Sequence, residues 1–186
     1  GARCFYKYIK NYGLSNNSTI KVETKSGITL LSENSVGMVK VDMGLPDIRM
    51  SINRHGVSYD HVVIGNPHAV INLADNNILE ENYNDVALEI QSSWKDGINV
   101  GFMSIIDKNS LQLKVFERGS GFTMACGSGA CAAAAIAISK NKLETPMNVH
   151  MDGGIVQISW DMKNTITLSG SAEISFEGEV NLNAYA

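Results

Sequence analysis

No run in this sequence reaches the roughly 20 consecutive apolar residues that a membrane-crossing helix needs, so no membrane partner is expected. Nor is there an excess of positive charge. Fifteen Lys and Arg stand against 19 Asp and Glu, a net charge of −4. That is the reverse of the basic footprint of a nucleic-acid or polyanion surface. Cysteines number three, an odd count that speaks against a disulfide framework and for reduced thiols, as in the cytoplasm. There is no Cys-x-x-Cys and no His-Glu-x-x-His, and so no indicated metal site. A phosphate-cradling Gly-x-x-x-x-Gly-Lys-Ser/Thr and a full Gly-x-Gly-x-x-Gly are absent too, which removes support for nucleotide binding. Gly127-Ser128-Gly129 is too short for a Gly-x-Ser-x-Gly nucleophile elbow. The first residues, Gly1-Ala2-Arg3-Cys4, are neither an initiator methionine nor a signal peptide.

What is present is a hydrophobic fraction of 44%, too high for disorder and sufficient for a core. The length suits one ordinary domain or two small lobes. Apolar residues Phe5, Tyr8, Ile9 and Tyr12 recur at helical spacing over 4–12, with Gly13 as a natural stop. Residues 19–24 and 28–32 alternate around Lys25-Ser26-Gly27 as a β-hairpin, and 37–43 reads as a further strand. A turn at Gly44-Leu45-Pro46-Asp47 marks a candidate lobe boundary. Beyond it, 57–64, 69–73, 100–106 and 111–116 read as strands and 84–93 as a short amphipathic helix. Residues 130–139 are apolar on every side, the pattern of a buried helix, and Lys140 and Lys142 suit its negative C-terminal end. Strands follow at 147–151, 155–160, 166–168 and 172–176. The order predicts an α+β fold rather than a doubly wound sheet.

The segment also repeats itself. A shift of about 127 positions brings Cys4 onto Cys131, Val22 onto Val149, Gly27-Ile28 onto Gly154-Ile155, and Val39 and Val41 onto Ile166 and Leu168. Both copies read helix, hairpin, strand, which predicts two pseudo-symmetric lobes. The second copy is preceded by Cys126-Gly127-Ser128-Gly129, and the first begins at Gly1. If the repeat holds, a matching Cys-Gly pair belongs just ahead of Gly1.

The densest chemical signal runs from Glu117 to Cys131. Glycines and serines lead into the apolar helix, with Cys126 just ahead of its first turn. Unpaired N–H groups and the positive end of the helix dipole favour an anion there, and such a position is expected to lower a thiol's pKa. Gly127, Ser128 and Gly129 let a carboxylate approach the amides closely. A buried structural cysteine in a glycine turn is the alternative. Cys131 lies about 140° round the helix from Cys126, so it and its counterpart Cys4 read as packing residues. Glu117-Arg118 ends a strand; the Arg could take a carboxylate and the Glu an ammonium, the ends of an amino-acid-like ligand, unless the two form a plain surface ion pair. In Gly65-Asn66-Pro67-His68, proline fixes a junction between two strands from which Asn66 and His68 project. His68 could tune a thiol, hold an amine, or be structural. His55, His61 and His150 have no partner pattern.

Gly65-Asn66-Pro67-His68, together with the Glu117–Cys131 motif Glu-Arg-Gly-Ser-Gly-x-Thr-x-Ala-Cys-Gly-Ser-Gly-Ala-Cys, resembles the diaminopimelate epimerases. Gly1-Ala2-Arg3-Cys4 resembles the tail of that family's first cysteine motif, Cys-Gly-Asn-Gly-x-Arg-Cys. The resemblance spans the whole chain in order. It implies two pseudo-symmetric lobes, each a curved, mainly antiparallel sheet around a central helix, with 45–170 as the lobe carrying Cys126 and 1–44 plus 171–186 as part of the other. It also implies an isomerase that interconverts LL- and meso-2,6-diaminopimelate without cofactor, in lysine and peptidoglycan precursor synthesis. Two cysteines would move the α-proton, one on each face, and amides aimed at the developing charge would lower the barrier. By position, Cys126 would be one acid/base thiol, His68 and Glu117 would orient the amine and tune the thiols, and Gly127 and Ser128 would cradle the carboxylate. Asn66, Asn99, Glu117 and Arg118 would complete substrate recognition, the remote amino-acid end included.

The family's other catalytic cysteine falls three residues before Gly1, and this polypeptide alone is therefore expected to be inactive, as a C-terminal portion of a longer protein would be. The resemblance allows a homodimer, with Phe176 where a tyrosine is common at the contact. Two alternatives are a proline- or hydroxyproline-type racemase on the same scaffold and a non-catalytic amino-acid-binding module.

Overall fold

The computed structural model describes residues 1–24, 27–140 and 143–181. Three α-helices are present among them: α1 (Ala2–Asn11), α2 (Tyr83–Ser92) and α3 (Gly127–Ser139). The strands are β1 (Thr19–Thr24), β2 (Gly27–Glu33), β3 (Val39–Asp42), β4 (Asp47–Arg54), β5 (Val57–Ile64), β6 (Asn66–Asn72), β7 (Asn99–Asp107), β8 (Ser110–Glu117), β9 (Gly121–Thr123), β10 (Met147–Met151), β11 (Gly154–Ser159) and β12 (Thr167–Gly170). They form one open, mainly antiparallel sheet in the order β1-β2-β3-β12-β11-β10-β8-β7-β6-β5-β4, with β9 attached to β8. The pairs β6–β7 and β8–β10 are parallel. This is the α+β architecture expected.

The internal repeat extends to hydrogen-bond register. In the first hairpin Thr24 faces Gly27 and Ile20 faces Leu31; in the second, Met151 faces Gly154 and Met147 faces Ile158. Each pair moves by 127 positions into the other. The third strand follows suit, since Leu31 faces Val41 and Ile158 faces Leu168. A period-2 strand keeps the same residues inward only if register is kept, so the two copies bury matching faces.

Three apolar clusters hold the molecule together. The largest surrounds α3, whose residues from Gly129 to Ile138 are all buried against side chains of β5–β8 and β10–β12, Val62, Leu113, Val149 and Leu168 among them. Six alanines let the backbone sit close to the sheet. Lys140, at the helix end, donates to the buried Asp60 carboxylate at 2.7 Å, and Ser51 closes the other oxygen at 2.5 Å. A second cluster lies on the opposite face of the sheet under α2, with Tyr83 stacked on Phe102 at 4.2 Å. The third is small: Tyr6 of α1 packs with Ile20, Leu31, Val39, Val41 and Ala172.

Several elements differ from the sequence reading. Strand β4 leaves no mark in the sequence pattern, because its residues are nearly all exposed and an edge strand carries no clean apolar alternation. Asn66, Pro67 and His68 lie inside β6 rather than between strands; the reversal is made by Gly65 alone, at φ +69°. Residues 172–176 form no strand, since β12 is already flanked by β3 and β11 and offers no free edge. The buried side of α1 is Tyr6, with Ile9 half-buried, while Phe5, Tyr8 and Tyr12 face outward. Cys4, expected in packing, is exposed on that outer side, whereas Cys131 is fully buried. Lys25 and Ser26 of the expected hairpin turn, and Lys142 of the expected helix end, fall outside the described residues.

Candidate active site

Strand parity explains how distant parts of the sequence meet. Val70 on β6, Met103 on β7 and Val115 on β8 all join the cluster around α3. Side chains two and four positions along a strand share its face. His68 and Asn66, Asn99 and Glu117 therefore project on the α3 side, at one end of three neighbouring strands. His68 is registered with Asn99 across the parallel β6–β7 pair, and Val100 with Phe116 across β7–β8. Cys126 opens α3 and belongs to the same cluster.

At Cys126 the chain turns from extended backbone, φ −135° and ψ 110°, into the helix. Its Sγ accepts from the Gly129 N–H at 3.4 Å and lies 3.6 Å from Ser128 Oγ. Its own N–H donates to Met151 Sδ at 3.5 Å. Gly129 keeps this place open: a Cβ there would crowd Val115 at 3.2 Å and the Cys126 sulfur at 3.3 Å, and both would have to shift by a few tenths of an ångström. The Gly129 amide is used by the thiol and the Ala130 amide by the Cys126 carbonyl at 2.9 Å. The N–H groups of Gly127 and Ser128 precede the helical ladder, as first-turn amides do.

The thiol's electrostatics depart from the expectation. Burial pushes its pKa up, the hydrogen bonds from Ser128 and Gly129 pull it down, and the negative charge of Glu117 pushes it up again, with an upward net. The helix start does favour the anion, but sulfur removed from water beside a carboxylate favours the neutral form more strongly. Cys126 rests as a thiol. Burial likewise pushes the Cys131 thiol up.

Glu117 accepts from Thr123 Oγ1 at 2.6 Å across the β8–β9 hairpin. His68 is 1% exposed, and burial lowers its pKa to about 4, so the ring is neutral near pH 7. Its Nε2 lies 3.1 Å from Asn66 Oδ1. That oxygen can only accept, which places the proton on Nε2 and leaves Nδ1 as an acceptor. Asn99 Oδ1 accepts from the Arg118 N–H at 2.9 Å. The exposed Arg118 guanidinium donates to the Asp96 carbonyl at 2.5 Å, its stem lying over Gly97, where a Cβ would come within 2.8 Å. The roles of Thr123 and Met151 are not legible in the sequence: a Thr directly after a Gly-Phe step and a Met in a strand do not reveal their partners, and only the fold brings them to the site.

A cavity of about 470 Å³ opens between α1 and this end of the sheet, lined among others by Ala2, Thr29, Met43, Gly44, Ile64 and Gly65. It ends one residue short of Asn66 and does not include Cys126. No group of three or more His, Cys, Asp or Glu side chains fit to hold a metal stands among the described residues. No helix among them is long and apolar enough to cross a membrane.

Comparison with solved structures defines the fold first. A hydroxyproline epimerase from Agrobacterium vitis superposes with a TM-score of 0.66 at 12% identity, covering 91% of this chain and 63% of that one. A PhzF-family phenazine biosynthesis protein from Enterococcus faecalis gives 0.65 at 13% identity, covering 97% of this chain and 71% of that one. At such identities the likeness is one of fold. Sequence then gives the family. The family model described as diaminopimelate epimerase matches residues 61–175. The diaminopimelate epimerase of Nitrosomonas eutropha is 36% identical over 98% of this chain, and that of Burkholderia pseudomallei 34% identical over 99%. The chain belongs to the diaminopimelate epimerase family, a family of isomerases, and spans 72–73% of the length of these two relatives.

Proposed function

We propose that this chain is the larger part of a cofactor-independent epimerase that interconverts LL- and meso-2,6-diaminopimelate in the cytoplasm, with Cys126 as one of two acid/base thiols. The observation that carries the reading is the Cys126 sulfur at the start of buried helix α3 on the same sheet face as His68, Asn99 and Glu117. The substrate's α-carboxylate would sit against the Gly127 and Ser128 amides, where the helix dipole also favours negative charge. Removing the α-proton spreads charge onto that carboxylate, so amides already aimed there stabilise the transition state more than the ground state.

Cys126, held as a thiol, is set to deliver a proton to one face of the α-carbon while a thiolate on the opposite face removes the original one. Neutral His68, with Nδ1 as acceptor, would take a hydrogen bond from the substrate ammonium, and the Glu117 carboxylate would pair with its charge. Asn66, Asn99 and Arg118 would hold the remote amino-acid end; Arg118 must exchange its bond to the Asp96 carbonyl for the ligand. Of the other cysteines, Cys131 is buried within α3 and Cys4 is exposed on α1. Cys4 matches Cys131 in the repeat rather than Cys126, so neither serves as the opposing thiol, and residues 1–186 alone do not complete the reaction.

The test is a substrate panel of diaminopimelate stereoisomers, proline and hydroxyproline, followed by chiral chromatography. The protein is expressed with any sequence its gene carries ahead of Gly1. Turnover of diaminopimelate alone is expected, and Cys126→Ser should lower it by about 10²–10⁴-fold, the usual worth of a positioned acid/base group. Turnover of a cyclic imino acid but not of diaminopimelate, or full activity in the variant, would contradict the reading.

A further inference from the structure

The short strand β9 presents two faces. Phe122 turns to the aromatic cluster, edge-on to Phe116 at 5.1 Å and 6.3 Å from Phe102. Thr123, the next residue, turns to the α3 side, where its hydroxyl donates to Glu117 Oε1 at 2.6 Å. Three residues further the chain reaches Cys126. The backbone fixes this placement, since Val115 faces Thr123 and Glu117 faces Gly121 across the hairpin. Gly121, at φ +74°, permits the tight return. A carboxylate on a half-buried Glu has several accessible rotamers, and one short hydrogen bond from a strand-borne hydroxyl selects among them.

We propose that Thr123 is a positioning residue for proton transfer: through its hydroxyl it holds the Glu117 carboxylate on the α3 side of the sheet, beside the helix start that carries Cys126. This rests on the reading of Cys126 and Glu117 given above and adds to it a residue that touches no substrate. Glu117 from β8 is the charged side chain bearing on Cys126. Ser128 on α3 and Met151 on β10 contact it as uncharged groups, and Cys131 is a buried neutral thiol. Releasing the carboxylate therefore removes the charge that, among the described residues, opposes the thiolate.

The experiment follows iodoacetamide alkylation of Cys126 against pH in the 186-residue chain carrying Cys4→Ser, so that the exposed thiol does not interfere. Thr123→Val is expected to move the alkylation midpoint down by roughly half a pH unit, about threefold in thiolate fraction below the midpoint. Thr123→Ser, which keeps the hydroxyl, should restore the original profile. Should Val disturb the fold, Thr123→Ala makes the same deletion with less bulk. A midpoint unchanged by Val and Ala overturns the proposal if Glu117→Gln still lowers it, because the carboxylate then acts without its anchor. If Glu117→Gln leaves the midpoint unchanged as well, the Glu117–Cys126 pairing itself is wrong, and the proposal falls with it.

Discussion

Helix α3 with β10–β12 and helix α1 with β1–β3 carry the same local design 127 positions apart, in the same strand registers, yet their surroundings differ. Ten consecutive residues of α3 are buried. In α1, Tyr6 is the buried residue, and Phe5 and Tyr8, with Tyr12 just past the helix end, are about half exposed. The cause lies outside the repeat. Strands β5–β8 wrap α3 from the side that its own hairpin leaves open, and among the described residues α1 has no such cover. Register and turn geometry are therefore local properties written into each copy, whereas burial, and with it thiol electrostatics, is conferred by what packs around the copy. The helix starts differ in the same way: Cys126 caps α3 with its sulfur, whereas Gly1 caps α1 with no side chain.

Matched substitutions should break this pairing most visibly. Ala134 and Lys7 are equivalent under the repeat; Ala134 is fully buried. Ala134→Asp places an unpaired charge in the core and is expected to cost on the order of 3–5 kcal/mol, enough to unfold much of a marginally stable chain. Lys7→Asp, at the α1 position, should stay within about 0.5 kcal/mol. Urea titration followed by circular dichroism measures both, and equal losses would dissolve the distinction between the copies.

The next effect is smaller and depends on pH. His68 has its pKa lowered from about 6.5 to about 4 by burial. The neutral ring stabilises the folded form, so its contribution is present above pH 6.5 and is lost as the pH falls from there towards 4. The shift is worth about 3 kcal/mol. His68→Gln should make the stability profile shallower over that interval, leaving the contribution of His61, whose pKa burial also lowers, and carboxylate titration. A wild-type profile that is already flat between pH 6.5 and 4 would show that this end of the α3 cluster is wetter than its packing implies.

Much of this architecture is readable along the sequence because its causes are local. The apolar run at 130–139, the turn glycines and the repeated spacing of Val22 and Val149 each act over a few residues. The motif around Cys126 was readable for a related reason: glycines that admit close approach stand next to the thiol they serve. What escaped the reading depends on neighbours far along the chain. The edge strand β4 is held by β5 and shows little apolar pattern. The outward face of α1 is set by which side meets β2 and β3. The upward shift of the Cys126 thiol needs the lid of sheet above it and Glu117 beside it, and the local rule for a helix start sees neither. Thr123 acquires its partner only when β9 folds back on β8.

The claim on which the functional account turns is that inversion at the α-carbon needs sulfur on both faces and that these 186 residues supply it on one. It is tested most directly by incubating the purified 1–186 chain with LL-diaminopimelate in D2O and resolving the stereoisomers. The account predicts that no meso isomer forms. Appearance of meso-diaminopimelate carrying deuterium at the α-carbon would contradict it.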